Sequence, residues 1–170
     1  MRTDAYDRSD LISLLFRETD RAQRMKTPLS LVAFCVFAME LDCRHRTAPC
    51  DDAIRQVAER TRQLVRTYDD LGRIGFDRFL LVLPGCDTYD AMALTERLRI
   101  DVFSNPPFIA QQRVLLSACF GIASSNGRSP IVAIREVECA LKSAIEKGPG
   151  SIIVSTPVIP SPHDPALRSQ

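Results

Sequence analysis

Residues 29–39 read LSLVAFCVFAM, an eleven-residue apolar run interrupted only by the hydroxyl of Ser30. A continuous run of this kind, with no polar alternation, reads as a central strand covered on both faces. It is too short to cross a bilayer, which takes about 20 apolar residues. A second run, RVLLSACFGIAS at 113–124, reads the same way.

Helical patterns flank these strands. Residues 10–26 place Leu11, Leu14, Leu15, Ala22 and Met25 near one face, with Asp10 as N-cap and Thr27-Pro28 as the stop. Residues 40–50 are polar and read as a loop. Residues 51–66 form an amphipathic helix with Ile54, Val57, Ala58, Leu64 and Val65 inward. DDLGRIGFDRFLLVLPG, at 69–85, is a hairpin. Arg73 and Ile74 end its first strand, Gly75 makes the turn, and Phe79 begins the second. A third helix follows, capped by Asp87 or Thr88. A fourth, near 129–147, has Pro130 at its start and Gly148 closing it. GSIIVS is a last short strand. The order is helix, strand, helix, hairpin, helix, strand, helix, strand. It predicts an α/β fold with a mixed central sheet of about five strands flanked by helices.

The 170 residues suit one domain, spanning 1–156, and the Pro-rich stretch 157–170 reads as a disordered tail. Net charge is +1, so no overall field favours nucleic acid or an anionic membrane. The polar N-terminus lacks the pattern of a signal peptide, and a cytoplasmic location is expected. Six cysteines, at 35, 43, 50, 86, 119 and 139, show no CxxC pair. Cys35, Cys119 and Cys139 lie in apolar stretches and read as reduced, packed thiols. Cys43, His45 and Cys50 have the wrong spacing for zinc, and His163 lies in the tail.

The ordered set of pieces resembles the GGDEF domain of diguanylate cyclases, the enzymes that join two GTP into cyclic di-GMP. The pieces are RETDRAQRMKTPLSLVAF, the helix and hairpin from Ile54 to Gly85, MALTERLR, LSACFGIAS, and VECALKSAIEKGPGSIIV. The resemblance runs from about Leu11 to Val154 and implies the palm-like fold of nucleotidyl cyclases. The family's opening DxLTGLxNR segment has no counterpart here. Gly75, Phe76, Asp77, Arg78 and Phe79 stand where the family writes Gly-Gly-Asp/Glu-Glu-Phe.

Carried over residue by residue, the resemblance implies a lost active site. Cys35 stands at the family's Mg²⁺-binding Asp, and a thiol is a poor ligand for a hard cation. Phe37 replaces a second usual Asp. Asp77 keeps a metal-binding carboxylate, but Arg78 sets a cation beside it. Phe76 would fill space that nucleotide phosphates need. The guanine-contacting Asn falls at Asp42 or Cys43, and a later carboxylate at Asp51 or Asp52. Those last two also read as an N-cap. The phosphate-facing Lys of the last helix is Ile145. No metal and no cofactor is therefore expected.

One family feature is kept. The family's inhibitory site for cyclic di-GMP is an Arg-x-x-Asp five residues ahead of the hairpin motif. Arg66-Thr67-Tyr68-Asp69 is such a stretch, with five residues before Gly75. A guanidinium can grip a guanine edge or phosphate through paired N–H groups, and a carboxylate accepts from guanine N–H groups. Arg97 or Arg99 would complete the contact. The resemblance thus implies a catalytically inactive regulatory domain that receives cyclic di-GMP. The alternative is a ligand-independent interaction or dimerisation module. A protein partner or a second copy is expected under either reading.

Overall fold

A computed structural model describes residues 7–39 and 46–156. Helix α1 spans Arg8–Met25, strand β1 Leu29–Met39, β2 Arg46–Thr47, and helix α2 Asp51–Leu64. The hairpin is β3, Asp70–Arg73, and β4, Arg78–Pro84. Then come α3, Thr88–Phe103, the short strands β5, Phe108–Ile109, and β6, Gln112–Arg113, and β7, Leu115–Ser124. Helix α4, Pro130–Lys147, and strand β8, Ile152–Val154, close the described fold.

The central sheet runs β3-β4-β1-β7-β8, with β2 paired to the far end of β1. The first four strands are antiparallel to their neighbours, and β8 lies parallel to β7. The mixed α/β sheet of about five strands expected from the sequence is therefore present. Its centre is β1, where side chains alternate between two cores. Val32, Phe34 and Val36 enter the core under α2 and α3. Leu31, Ala33, Cys35 and Phe37 enter the core under α1 and α4. Double coverage is why this strand is almost wholly apolar; its one hydroxyl, on Ser30, donates to the Cys86 carbonyl at 2.8 Å. Phe34 stacks on Phe79 of β4 at 5.1 Å between ring centroids, and both are fully buried.

Several local readings change. The N-cap of α1 is Asp7, whose carboxylate accepts from the Asp10 N–H at 2.9 Å, so Asp10 sits inside the first turn. Helix α2 is capped by Cys50 without a side-chain bond, and Asp51 and Asp52 lie in its first turn. There they face the positive end of the helix dipole. Met25 is 60% exposed because the chain leaves α1 immediately after it, with Lys26 in the left-handed conformation at φ 53°. Cys139 is exposed on the outer side of α4, whereas Cys35 and Cys119 are buried. Residues 46–47 of the expected loop pair with β1 at Ala38 and Met39. The β5–β6 ribbon has no apolar alternation long enough to announce it. Asp42, Cys43, His45, His163 and the tail lie outside the described residues.

The hairpin turn also differs. Its strands end at Arg73 and begin at Arg78, so the turn takes Ile74–Asp77. Gly75 is not among the glycines with positive φ, which are Gly85, Gly127, Gly148 and Gly150 among the described residues. The turn is held instead by hydrogen bonds. The N–H groups of Ile74 and Gly75 reach the Arg78 carbonyl at 2.9 and 3.3 Å. The Arg73 guanidinium donates to the carbonyls of Gly75 and Phe76.

Candidate functional site

Strand β3 has a candidate site at each end. Four residues of extended chain separate them by roughly 13 Å.

The first lies at the hairpin tip. Strand register sets Cys35 opposite Arg78 on β4 and opposite Cys119 on β7. The Val36 N–H donates to the Asp77 carbonyl at 2.8 Å, which draws the turn against β1. The Cys35 Sγ then lies 3.4 Å from Asp77 Oδ2 and donates to it. Burial first, and the Asp77 charge second, push the Cys35 thiol up to about 12. It stays protonated at any ordinary pH. The pair therefore offers one carboxylate and one neutral thiol, and Arg78 Nε stands 3.8 Å from Asp77 Oδ1. A hard divalent cation requires several oxygen ligands, so these residues do not fit Mg²⁺. Among the described residues no group of three or more acids, cysteines or histidines is placed to hold a metal.

Phe76 is 54% exposed, and the Arg73 guanidinium lies 5.5 Å from its ring centroid. Arg73 also approaches Asp51 at 4.0 Å. Asp52 pairs instead with Arg55 at 2.6 Å. Phe37 is buried, and Arg46 covers its ring at 5.2 Å while donating to the Ile145 carbonyl at 3.3 Å. One arginine thus spans the Phe37 and Ile145 positions. Nothing in the polar stretch around Arg46 signals this role, because it depends on β2 pairing with the end of β1.

The second site lies at the other end of β3. Helix α2 stops at Leu64, and the chain turns tightly before entering the sheet. The Arg66 N–H donates to Asp69 Oδ2 at 2.8 Å, and the Asp69 N–H donates to the Arg66 carbonyl at 3.0 Å. This double closure sets both side chains on one opening. The opening is a cavity of about 190 Å³ whose polar lining is Arg66, Asp69, Cys86, Asp90 and Arg97, with Leu94 among its apolar walls. Arg97 comes from α3, which packs on β7 and beside α2. Arg99 points elsewhere and pairs with Glu96 at 2.6 Å. The structure brings together Arg66, Asp69 and Arg97, and leaves Arg99 out.

Burial raises the Asp69 carboxyl above its ordinary value, opposed by the Arg66 N–H and then the Arg66 charge. Burial also pushes the Cys86 thiol up to about 11, helped by Asp90 and Asp69. Arg66 is exposed, and its hydrogen bond to Tyr68 is the main cause that raises its pKa. Asp90 and Cys86 were not legible as site residues. Each reaches the pocket only because α3 begins directly after β4, at the Asp87 cap. The cavity is smaller than the about 300 Å³ or more that encloses a drug-sized ligand. It suits one flat end of a larger molecule, with two cations and two carboxylates around it.

Comparison with known proteins bears on the family and the fold. The family model described as diguanylate cyclase, GGDEF domain, matches residues 45–151, well over half of the chain. Probable diguanylate cyclase DgcT of Escherichia coli (strain K12) is 28% identical over 162 residues, 89% of this chain. The chain spans only 34% of that relative's length. The solved GGDEF domain of PA1120 (TpbB or YfiN) from Pseudomonas aeruginosa has a TM-score of 0.79 at 22% identity, covering 91% of this chain and 92% of that one. The GGDEF domain of DgcB from Caulobacter crescentus, solved in complex with c-di-GMP, has a TM-score of 0.72 at 18% identity, covering 89% of each chain. Likeness at such identities speaks for the fold. No helix among the described residues is long and apolar enough to cross a membrane.

Proposed function

We propose a function from one premise: this chain belongs to the GGDEF domain family. The family ties it to cyclic di-GMP chemistry. Our reading is that the domain makes no cyclic di-GMP and binds it at the pocket of Arg66, Asp69 and Arg97.

The observation that carries the reading is the contrast between the two ends of β3. At the hairpin tip, a protonated thiol stands beside the Asp77 carboxylate, and Arg78 Nε stands 3.8 Å from that carboxylate. Phosphoryl transfer between two triphosphates depends on cations that neutralise developing charge. A donor set unsuited to such cations argues against turnover. At the other end, Arg66 and Arg97 line the same opening as Asp69. Two guanidinium groups suit phosphate oxygens and the acceptor edge of guanine, and Asp69 suits its N–H groups. Binding there would be read out by a protein partner or a second copy of the domain. A cytoplasmic setting is part of the same reading.

Calorimetric titration of the protein with cyclic di-GMP tests the binding half. Micromolar or tighter affinity, on the order of −8 kcal/mol, is expected. No heat at about 100 µM ligand would sink it and leave the interaction module as the reading. Incubation with GTP and Mg²⁺ or Mn²⁺ tests the catalytic half, and any cyclic di-GMP above a blank would overturn it.

A further inference from the structure

We propose that Tyr68 is a positioning residue for the pocket, bracing the Arg66 guanidinium from outside it. The inference deepens the binding reading above and rests on it for the identity of the ligand.

Tyr68 sits inside the turn that Arg66 and Asp69 close. Its hydroxyl accepts from Arg66 Nη1 at 3.1 Å, and the Arg66 Cζ lies 5.8 Å from its ring centroid. Tyr68 is 57% exposed and does not line the cavity, whereas Arg66 does. The contact therefore approaches Arg66 from a side other than the pocket. An exposed arginine at the end of a helix would otherwise sample many rotamers. Ordering such a side chain is a cost that binding must meet, and a side chain already held lowers it. The phenol uses one of five N–H donors of the guanidinium and leaves the others for an acceptor. The two distances together set the guanidinium off the hydroxyl end of the ring, so the hydrogen bond is the restraint. The ligand class is a purine nucleotide with acceptor atoms on its edge.

A structural role is a poor explanation for so exposed a ring. The turn is closed by Asp69 and by the Arg66 carbonyl without it.

The test has a ligand-free arm and a binding arm, using the full chain with Tyr68→Phe and Tyr68→Ala. In the ligand-free arm, the guanidinium rotation and hydrogen exchange of Arg66 are followed by nitrogen-15 NMR. The wild type should show slower exchange than Tyr68→Ala, with Tyr68→Phe between them. Equal exchange in all three overturns the brace, whatever the domain binds. In the binding arm, cyclic di-GMP affinity should fall on the order of five- to tenfold for Tyr68→Ala and about two- to threefold for Tyr68→Phe. Thermal midpoints should stay together, which separates positioning from folding. Unchanged or tighter binding by Tyr68→Ala overturns the proposal. Slow Arg66 exchange without any wild-type binding would instead refute cyclic di-GMP as ligand while upholding the brace.

Discussion

Cys35 on β1 donates a hydrogen bond to the Asp77 carboxylate at the hairpin tip, 42 residues away in the chain, at 3.4 Å. The contact joins the centre of the sheet to the turn. Burial first, and the Asp77 charge second, keep the thiol protonated, and the contact occupies one carboxylate oxygen.

Cys35→Asp should therefore not create a cyclase. The new carboxylate would face Asp77 with Arg78 beside it, and Phe76 and Ile145 would remain. GTP incubated with this variant and Mg²⁺ or Mn²⁺ should give no cyclic di-GMP by chromatography. Product would show that one ligand was all the site lacked.

Stability should fall as pH rises above about 9. An unfolded thiol ionises near 9.0, while the folded Cys35 and Cys86 thiols are held up to about 12 and about 11. Between these values the native state binds more protons than the unfolded state, so raising pH favours unfolding. The urea midpoint should drop between pH 8 and pH 10, and drop less in Cys35→Ser. An equal drop in wild type and variant would assign the effect to other groups. At pH 8, alkylating reagents should reach the exposed Cys50 and Cys139 well before Cys35.

Arg66→Ala and Arg97→Ala should each weaken cyclic di-GMP binding by about tenfold or more, the scale of losing charge-assisted hydrogen bonds. Arg99→Ala should leave affinity within about twofold, since Arg99 engages Glu96 outside the pocket. Arg78→Ala should do the same, being at the far end of β3. Calorimetry on the four variants checks this. Loss of binding in Arg99→Ala with retention in Arg97→Ala would reverse the assignment.

Two glycines should respond oppositely to alanine. A Cβ on Gly121 would stand 2.6 Å from the Val137 carbonyl oxygen and against the Leu141 N–H, both backbone atoms of α4. Gly121→Ala should cost about 1–3 kcal/mol or more, because helix and strand must separate. A Cβ on Gly75 would meet the flexible Arg78 side chain, nearest at Cβ, 3.4 Å away, with no positive φ to oppose it. Gly75→Ala should shift stability by less than about 1 kcal/mol. Chemical denaturation of both variants measures the contrast.

The elements and their order follow from local pattern. The unbroken apolar run of β1, the helical spacing of Leu11, Leu14 and Leu15, and the Pro130–Gly148 bracket each specify an element through neighbours a few residues apart. The Arg66–Asp69 pair is picked out by the family resemblance, and its geometry is local. Its closing bonds span three residues. Boundaries failed where a cap competes with a nearby residue of the same type, as Asp7 does with Asp10.

Only the tertiary structure decided what each site contains. Whether Arg97 or Arg99 meets Arg66 depends on how α3 is rotated on β7, since two residues along a helix turn a side chain by about 200°. Gly75 between two apolar runs points to a glycine turn, but hydrogen bonds from Arg73 and to Arg78 shape residues 74–77. Phe37 and Ile145 share Arg46 because β2 pairs with β1. Such contacts join residues far apart in the chain. No local period encodes them, and they appear only when burial fixes the strand register and the helix faces.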